Sequence, residues 1–190
     1  AAYRKHLETG DGPAYVSFHV RDTARLASAL VEARIDFDQA AGLTTFKDPK
    51  LGFVFITSDN RSTTDRPEHF AHPNGALAMR EVWIACEDSR PLRSLLIALG
   101  AASRSVTVRV PEPTGGEVFE LQNGRVVIIP GRNQILPGRP VIGVVMSVRP
   151  PANSPRKRTY QRYEFDSSTS GKLVTPNSAH GLWLEFRAEQ

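Results

Sequence analysis

The chain has 190 residues, of which 40% are hydrophobic and 23% are charged. This is the composition of an ordinary globular protein with room for one or two small domains. Its formal charge of +4 at pH 7 is too small to predict a nucleic-acid partner, and no apolar run approaches the roughly 20 residues that cross a bilayer. The single cysteine, Cys86, excludes an internal disulfide framework and favours a reducing compartment, so we expect a cytoplasmic protein.

The chain begins with a polar segment, residues 1–13, that ends in a Gly-Asp-Gly-Pro turn. We interpret this segment as a linker or as the remnant of a preceding unit. A first unit, residues 14–72, follows. Residues 14–20 (AYVSFHV) alternate as a strand, Asp22 is the expected N-cap of a helix, and two short strands are predicted at residues 44–47 and 51–57.

The same order of elements returns in a second unit, residues 73–139. Asp88 and Ser89 can cap its helix, and the dipeptide Asn123-Gly124 predicts a hairpin near its end. The strands of this unit are predicted at residues 81–86, 105–110, 117–121 and 125–129.

A third, partial unit covers residues 140–190. Residues 141–148 form its predicted first strand, a helix can begin at Ser154-Pro155, and strands are predicted at residues 172–175 and 181–187. The sequence therefore predicts an α+β protein of repeated strand–helix–strands units. The alternative is a set of unrelated α+β elements that happen to alternate.

Strand alternation also predicts which side chains share a face. In the first strand of each unit, one face is apolar throughout and should pack against the helices. The opposite face mixes aromatic, hydroxyl, imidazole and carboxylate groups, which is typical of a small-molecule pocket. The candidates on this second face are Tyr15, Ser17, His19, Glu81, Trp83 and Ser147. On the last strand, Trp183 and Glu185 are candidates and share a face with Arg187.

The sequence resembles the vicinal oxygen chelate superfamily, the glyoxalase-like and bleomycin-resistance-like proteins. The resemblance is carried by AYVSFHVRD, by HPNGA leading into REVWIACED, and by AHGLWLEF, which together touch all three units. It implies βαβββ units whose curved mixed sheets form a cup. In the family that cup often holds one divalent metal ion, which acts as a Lewis acid in reactions of the lyase, isomerase or dioxygenase type.

The family's ligand positions transfer only in part. Its first-strand ligand falls on Tyr15, Glu81 and Gly143, and its last-strand glutamate falls on Glu120 and Glu185. On the resemblance we predict Glu185, His19 and Glu81 as catalytic residues, with Glu185 and His19 as the metal ligands. The predicted substrate contacts are Tyr15, Ser17, Trp83, Ser147, Trp183 and His180.

Three functions stay open at this point. The chain could act on a small organic molecule in the cup, or it could be a non-catalytic module of the same fold that sequesters a small ligand. It could also be a scaffold whose basic cluster, from Arg156 to Arg162, binds another macromolecule. Because three units are an odd number in a family that pairs them, we expect either a fourth unit upstream of Ala1 or a second chain that supplies it, as in a homodimer.

Overall fold

The computed structural model describes residues 11–58, 64–72, 75–108, 113–149 and 171–188. Within these ranges the chain forms eleven strands and two α-helices in two mixed sheets. In chain order the elements are β1 Val16–His19, α1 Thr23–Glu32, β2 Phe37–Ala40, β3 Leu43–Phe46, β4 Val54–Thr57, β5 Ala76–Cys86, α2 Arg90–Ala98, β6 Ala102–Val108, β7 Thr114–Leu121, β8 Gly124–Pro130, β9 Val141–Val148, β10 Gly171–Val174 and β11 Trp183–Ala188.

The first unit forms a four-stranded sheet in the order β1-β4-β3-β2, in which β1 runs parallel to β4. The predicted N-cap is confirmed, because Asp22 Oδ1 accepts a hydrogen bond from the Arg25 N–H at 2.9 Å. Strand β2 was not predicted, since its sequence FDQA has one aromatic residue and is mostly exposed. It forms because Ala41 and Gly42 both adopt positive φ, which gives a tight hairpin to β3.

The second and third units share a seven-stranded sheet in the order β10-β11-β9-β5-β8-β7-β6. In each unit the first strand lies parallel to the last: β5 beside β8, and β9 beside β11. The two units are joined where β5 runs antiparallel to β9. Strand β5 begins at Ala76, earlier than predicted, because its first half pairs with β9 through several register shifts.

The predicted division of faces is confirmed, and it separates two cores. One core lies between the two sheets and includes buried leucines of both helices, Leu30 and Leu95, together with Val16 and Val82 from first strands. The second core lies on the opposite face of the seven-stranded sheet and includes Trp83. The fold is therefore α+β, as the sequence indicates, and the seven-stranded sheet has one face turned away from both helices.

Some sequence predictions fall outside the described residues. These are the helix expected from Ser154, the basic cluster around Arg156 to Arg162, and the turn at Pro73-Asn74. In the parts of the chain that the structure describes, neither helix has the length and apolar character needed to cross a membrane.

Candidate functional site

Two carboxylates lie on the face of the seven-stranded sheet that is turned away from the helices. Glu81 on β5 lies between Arg125 on β8 and Val145 on β9. Glu185 on β11 is the next neighbour of Val145 in the same row. Because neighbouring strands are about 4.8 Å apart, the backbones of the two glutamates are about 10 Å apart, within reach of one long side chain.

The carboxylate of Glu81 is surrounded by donors. Trp83 Nε1 donates to Oε1, and Arg125 Nε donates to Oε2. Arg187 Nη1 lies 3.6 Å from Oε2. With a side chain that is only 6% exposed, Glu81 is therefore buried with its charge compensated.

Among the described residues, the partner of the Glu185 carboxylate is Arg187, which binds it in a bidentate manner. Arg187 donates from Nε to Oε1 at 2.5 Å and from Nη2 to Oε2 at 2.8 Å. The Glu185 side chain is fully buried, whereas that of Arg187 is 24% exposed. Burial lowers the pKa of Arg187, but hydrogen bonds and charge attraction from Glu185 and Glu81 outweigh it, so the net pKa is raised. Arg187 thus ties the two carboxylates together as a permanent cation.

The tryptophans occupy the apolar part of the same face. A Cβ atom added to Gly143 would lie 2.5 Å from Trp83 Cε3 and 3.1 Å from Trp183 Cβ. The Trp83 indole therefore fills the space in which a side chain at position 143 would lie. The apolar surroundings are completed by Ala85, Val118, Val127, Ile129, Ile142, Val145 and Leu173.

Five of the predicted site residues share this face: Glu81, Trp83, Ser147, Trp183 and Glu185. Ser147 lies beside Arg187 in the strand register and donates its hydroxyl to the Ala78 carbonyl at 3.4 Å. The sequence analysis places Arg187 on the face of Trp183 and Glu185, but it predicts neither Arg187 nor Arg125 as a site residue. The position of Arg187 two residues after Glu185, on the same face of the strand, could have indicated its role. The role of Arg125 depends on the pairing of β5 with β8, which the sequence does not indicate.

The other three first-strand candidates, Tyr15, Ser17 and His19, lie on the four-stranded sheet. Their partners in alternation, Val16 and Phe18, face the core between the sheets, so these three face outward on the far side of that sheet. Tyr15 packs edge-to-face with Phe55, with 6.2 Å between ring centroids, over a hollow of about 250 Å³.

This placement corrects the expected metal pair. The structure does not bring His19 to Glu185, because the two residues lie on outward faces of different sheets with the shared core between them. The cause is strand pairing over long sequence distances: β5 pairs with β9 and not with β1.

Two further residues, the predicted substrate contact His180 and the family-position residue Glu120, also lie elsewhere. His180 precedes β11 in a turn with positive φ, and its Nδ1 lies 3.2 Å from Asp11 Oδ2 at the surface. Glu120 lies on β7, which is not the last strand of its unit, and faces Arg104 Nη2 at 3.4 Å. Neither side chain contributes to the row of Glu81 and Glu185.

Among the residues that the structure describes, the side chains on this face do not fit a divalent metal ion. Within the described parts of the chain, no group of three or more His, Cys, Asp or Glu side chains is arranged to hold one. Glu81 and Glu185 already accept hydrogen bonds from guanidinium and indole groups. Val145, which lies opposite Glu81 on β9, offers no donor atom, and neither does Gly143, the position that the family alignment equates with Glu81.

Comparison with solved structures gives the fold. A mutant of 4-hydroxymandelate synthase from Streptomyces coelicolor matches with a TM-score of 0.59 and 14% identity over 98% of this chain and 72% of that one. Homoprotocatechuate 2,3-dioxygenase from Arthrobacter globiformis matches with a TM-score of 0.58 and 13% identity over 93% of this chain and 61% of that one.

A third solved structure agrees with these two. It is 2,2',3-trihydroxybiphenyl 1,2-dioxygenase from Sphingomonas wittichii, with a TM-score of 0.53 and 13% identity over 93% of this chain and 70% of that one. No family model matches the sequence, and no curated protein matches it. The pairing of β5 with β9 and these structural matches together show that the chain has the vicinal oxygen chelate, or glyoxalase-like, fold.

Proposed function

We propose that the protein binds a small aromatic molecule on the tryptophan-bearing face of the seven-stranded sheet, as a non-catalytic module of the glyoxalase-like fold. The proposal rests on the hydrogen bonds and ion pairs that the two carboxylates of this face already make. Each carboxylate oxygen of Glu81 and Glu185 accepts a hydrogen bond from Trp83, Arg125 or Arg187, and the two arginines compensate the charge that would otherwise attract a metal ion or a proton.

The aromatic character of the ligand is supported by the indoles and by the structural matches. Trp183 is partly exposed beside Gly143, and an indole face favours stacking with planar rings. The matched proteins are named for 4-hydroxymandelate, homoprotocatechuate and 2,2',3-trihydroxybiphenyl, which are all aromatic. Arg125, which is 35% exposed, would direct a polar substituent of such a ligand.

The two tryptophans provide the test. They are the only tryptophans of the chain, so selectively excited indole fluorescence reports on this face alone. We expect homoprotocatechuate or 2,2',3-trihydroxybiphenyl to change the emission in a saturable way. Trp183→Ala should weaken this binding by about 3- to 10-fold, the range for one aromatic pair.

The matched control is Phe70→Ala, because Phe70 is an exposed aromatic residue outside both sheets. This variant should bind as the wild type does. No saturable change with either homoprotocatechuate or 2,2',3-trihydroxybiphenyl would count against the proposal, as would equal affinities for the wild type and Trp183→Ala.

A metal-dependent lyase, isomerase or dioxygenase is the second candidate function. It is favoured by one observation: Glu81 and Glu185 are both buried on first and last strands that flank Val145. Such chemistry would first require Arg187 to leave Glu185. Turnover of one of the aromatic probes that depends on an added divalent ion would support this candidate over the binding module.

Two sequence expectations remain proposals. A cytoplasmic location rests on the single, free Cys86. The homodimer proposal is supported by a difference between two equivalent strands. In the described part of the chain, β1 pairs with β4 along one edge, whereas β5, its equivalent in the second unit, is paired on both edges. Light scattering during gel filtration checks the dimer, and a monomeric mass at high protein concentration would contradict it.

A further inference from the structure

A positively charged side chain already lies between the carboxylates of Glu81 and Glu185. The Arg187 guanidinium contacts both carboxylates, with Nε and Nη2 on Glu185 and Nη1 at 3.6 Å from Glu81. Two buried carboxylates need compensating positive charge, since burial without it costs several kcal/mol per ion. A divalent cation bound between carboxylates meets the same need.

From this geometry we infer that Arg187 occupies the place of a divalent cation between Glu81 and Glu185, so that the wild-type protein takes no metal there and removal of the guanidinium creates a metal site. The inference concerns the same face as the proposed function and rests on that face being the binding site. Its readout is metal binding, which is separate from the binding of an aromatic molecule.

Two features of the site favour a guanidinium over a metal ion at this position. It approaches Glu185 with two parallel hydrogen bonds, a geometry that a planar guanidinium provides and a metal ion does not. It also reaches Glu185 from the same strand, two residues away, so no rearrangement of the sheet is needed to hold it there. Arg125 compensates Glu81 from the other side but has no contact with Glu185 among the described hydrogen bonds.

The test replaces the guanidinium by a ligand. Arg187→His places an imidazole beside Glu81 and Glu185, which completes a set of three donors for Mn²⁺ or Zn²⁺. We expect the wild type to contain no stoichiometric metal after dialysis against either ion, and its melting temperature to be unchanged by them. Arg187→His should bind about one ion per chain, and its melting temperature should rise by about 5–10 °C when the metal is present at about 100 times its dissociation constant.

Three controls separate metal binding at this position from other effects. Arg125→His adds an imidazole on the opposite side of Glu81 but leaves Arg187 in place, so it should not gain a metal. Arg187→Lys keeps one positive charge and should bind none. Adding Glu185→Gln to Arg187→His should abolish the gain, because the second carboxylate is then lost.

Four results would overturn the inference. They are a stoichiometric divalent ion in the wild type, equal metal binding by Arg125→His and Arg187→His, a folded Arg187→His without metal affinity, and an unfolded Arg187→His that no metal restores. If these results appear while the aromatic probes still change the indole emission, the charge-replacement inference fails and the proposed function stands. If the metal results are as expected but the wild type does not bind the aromatic probes, the charge-replacement inference stands and the proposed function fails.

Discussion

Gly143 is the position at which the arrangement of the two tryptophans can be perturbed most directly. Alanine there would place Cβ 2.5 Å from Trp83 Cε3, about 1 Å closer than the 3.4 Å at which ordinary contact begins. Since Trp83 is buried on a sheet, the indole cannot swing away without moving its neighbours. Overpacking of this kind costs about 2 kcal/mol, or about 4–8 °C in the melting temperature of a protein this size.

Urea unfolding followed by tryptophan fluorescence measures this effect, because both indoles lie beside the substituted position. The matched control is Gly115→Ala on β7, where an added Cβ would meet nothing within 4 Å. We expect Gly143→Ala to lower the free energy of unfolding and alter the native emission, and Gly115→Ala to do neither. In a Trp83→Leu background the cost of Gly143→Ala should fall by more than half, since the clashing atom is gone.

If Gly143→Ala and Gly115→Ala were equally stable and gave the native emission of the wild type, the Trp83 indole would not fill the space above position 143. The interpretation that position 143 lacks a side chain because of Trp83 would then be wrong.

Four further predictions concern three single residues. Arg187→Ala should lower the free energy of unfolding by about 3–5 kcal/mol, because it leaves the fully buried Glu185 carboxylate without its partner. Glu185→Ala should cost less, since Arg187 is partly exposed and keeps Glu81 nearby. Equal losses in urea unfolding would contradict this order. Desolvation by burial, helped by the negative charges of Asp88 and Glu87, raises the pKa of Cys86 from 9.0 to about 11, so iodoacetamide near pH 8 should modify the folded protein about 100-fold more slowly than the unfolded chain. This raised pKa also means that the folded state holds the thiol proton more tightly, so stability should decline as the pH rises from 9 towards 11, and Cys86→Ala should lack that decline. Asp22→Ala should lower the free energy of unfolding by about 1 kcal/mol through loss of the cap on the Arg25 N–H, whereas Asp22→Asn, which keeps an acceptor, should lose a few tenths.

Strand alternation was sufficient to predict which side chains share a face. It placed Val82 and Ile84 towards the helices and Trp83 on the opposite face, and the two cores confirm this. The prediction works because a strand has a period of two whatever its neighbours are. The Asp22 cap was predictable for a similar reason, since capping depends on a few residues in sequence.

The composition of the site was less predictable because it depends on which strands pair. The sequence gives no direct sign that β5 joins β9, a pairing that groups Glu81 with Glu185 and leaves His19 on the other sheet. The role of Arg125 likewise depends on β8 lying beside β5. Strand alternation places Arg187 on the same face as Glu185, but its ion pairs with Glu185 and Glu81 become visible only with the strand pairing and burial of β11.

The most direct test of the account is a titration of the wild-type protein with 2,2',3-trihydroxybiphenyl, followed by tryptophan fluorescence in EDTA and again with excess Mn²⁺. We expect the same saturable change and the same affinity in both conditions, because the Glu81 and Glu185 charges are compensated by arginines. Binding that appears only when the metal is added would contradict the account.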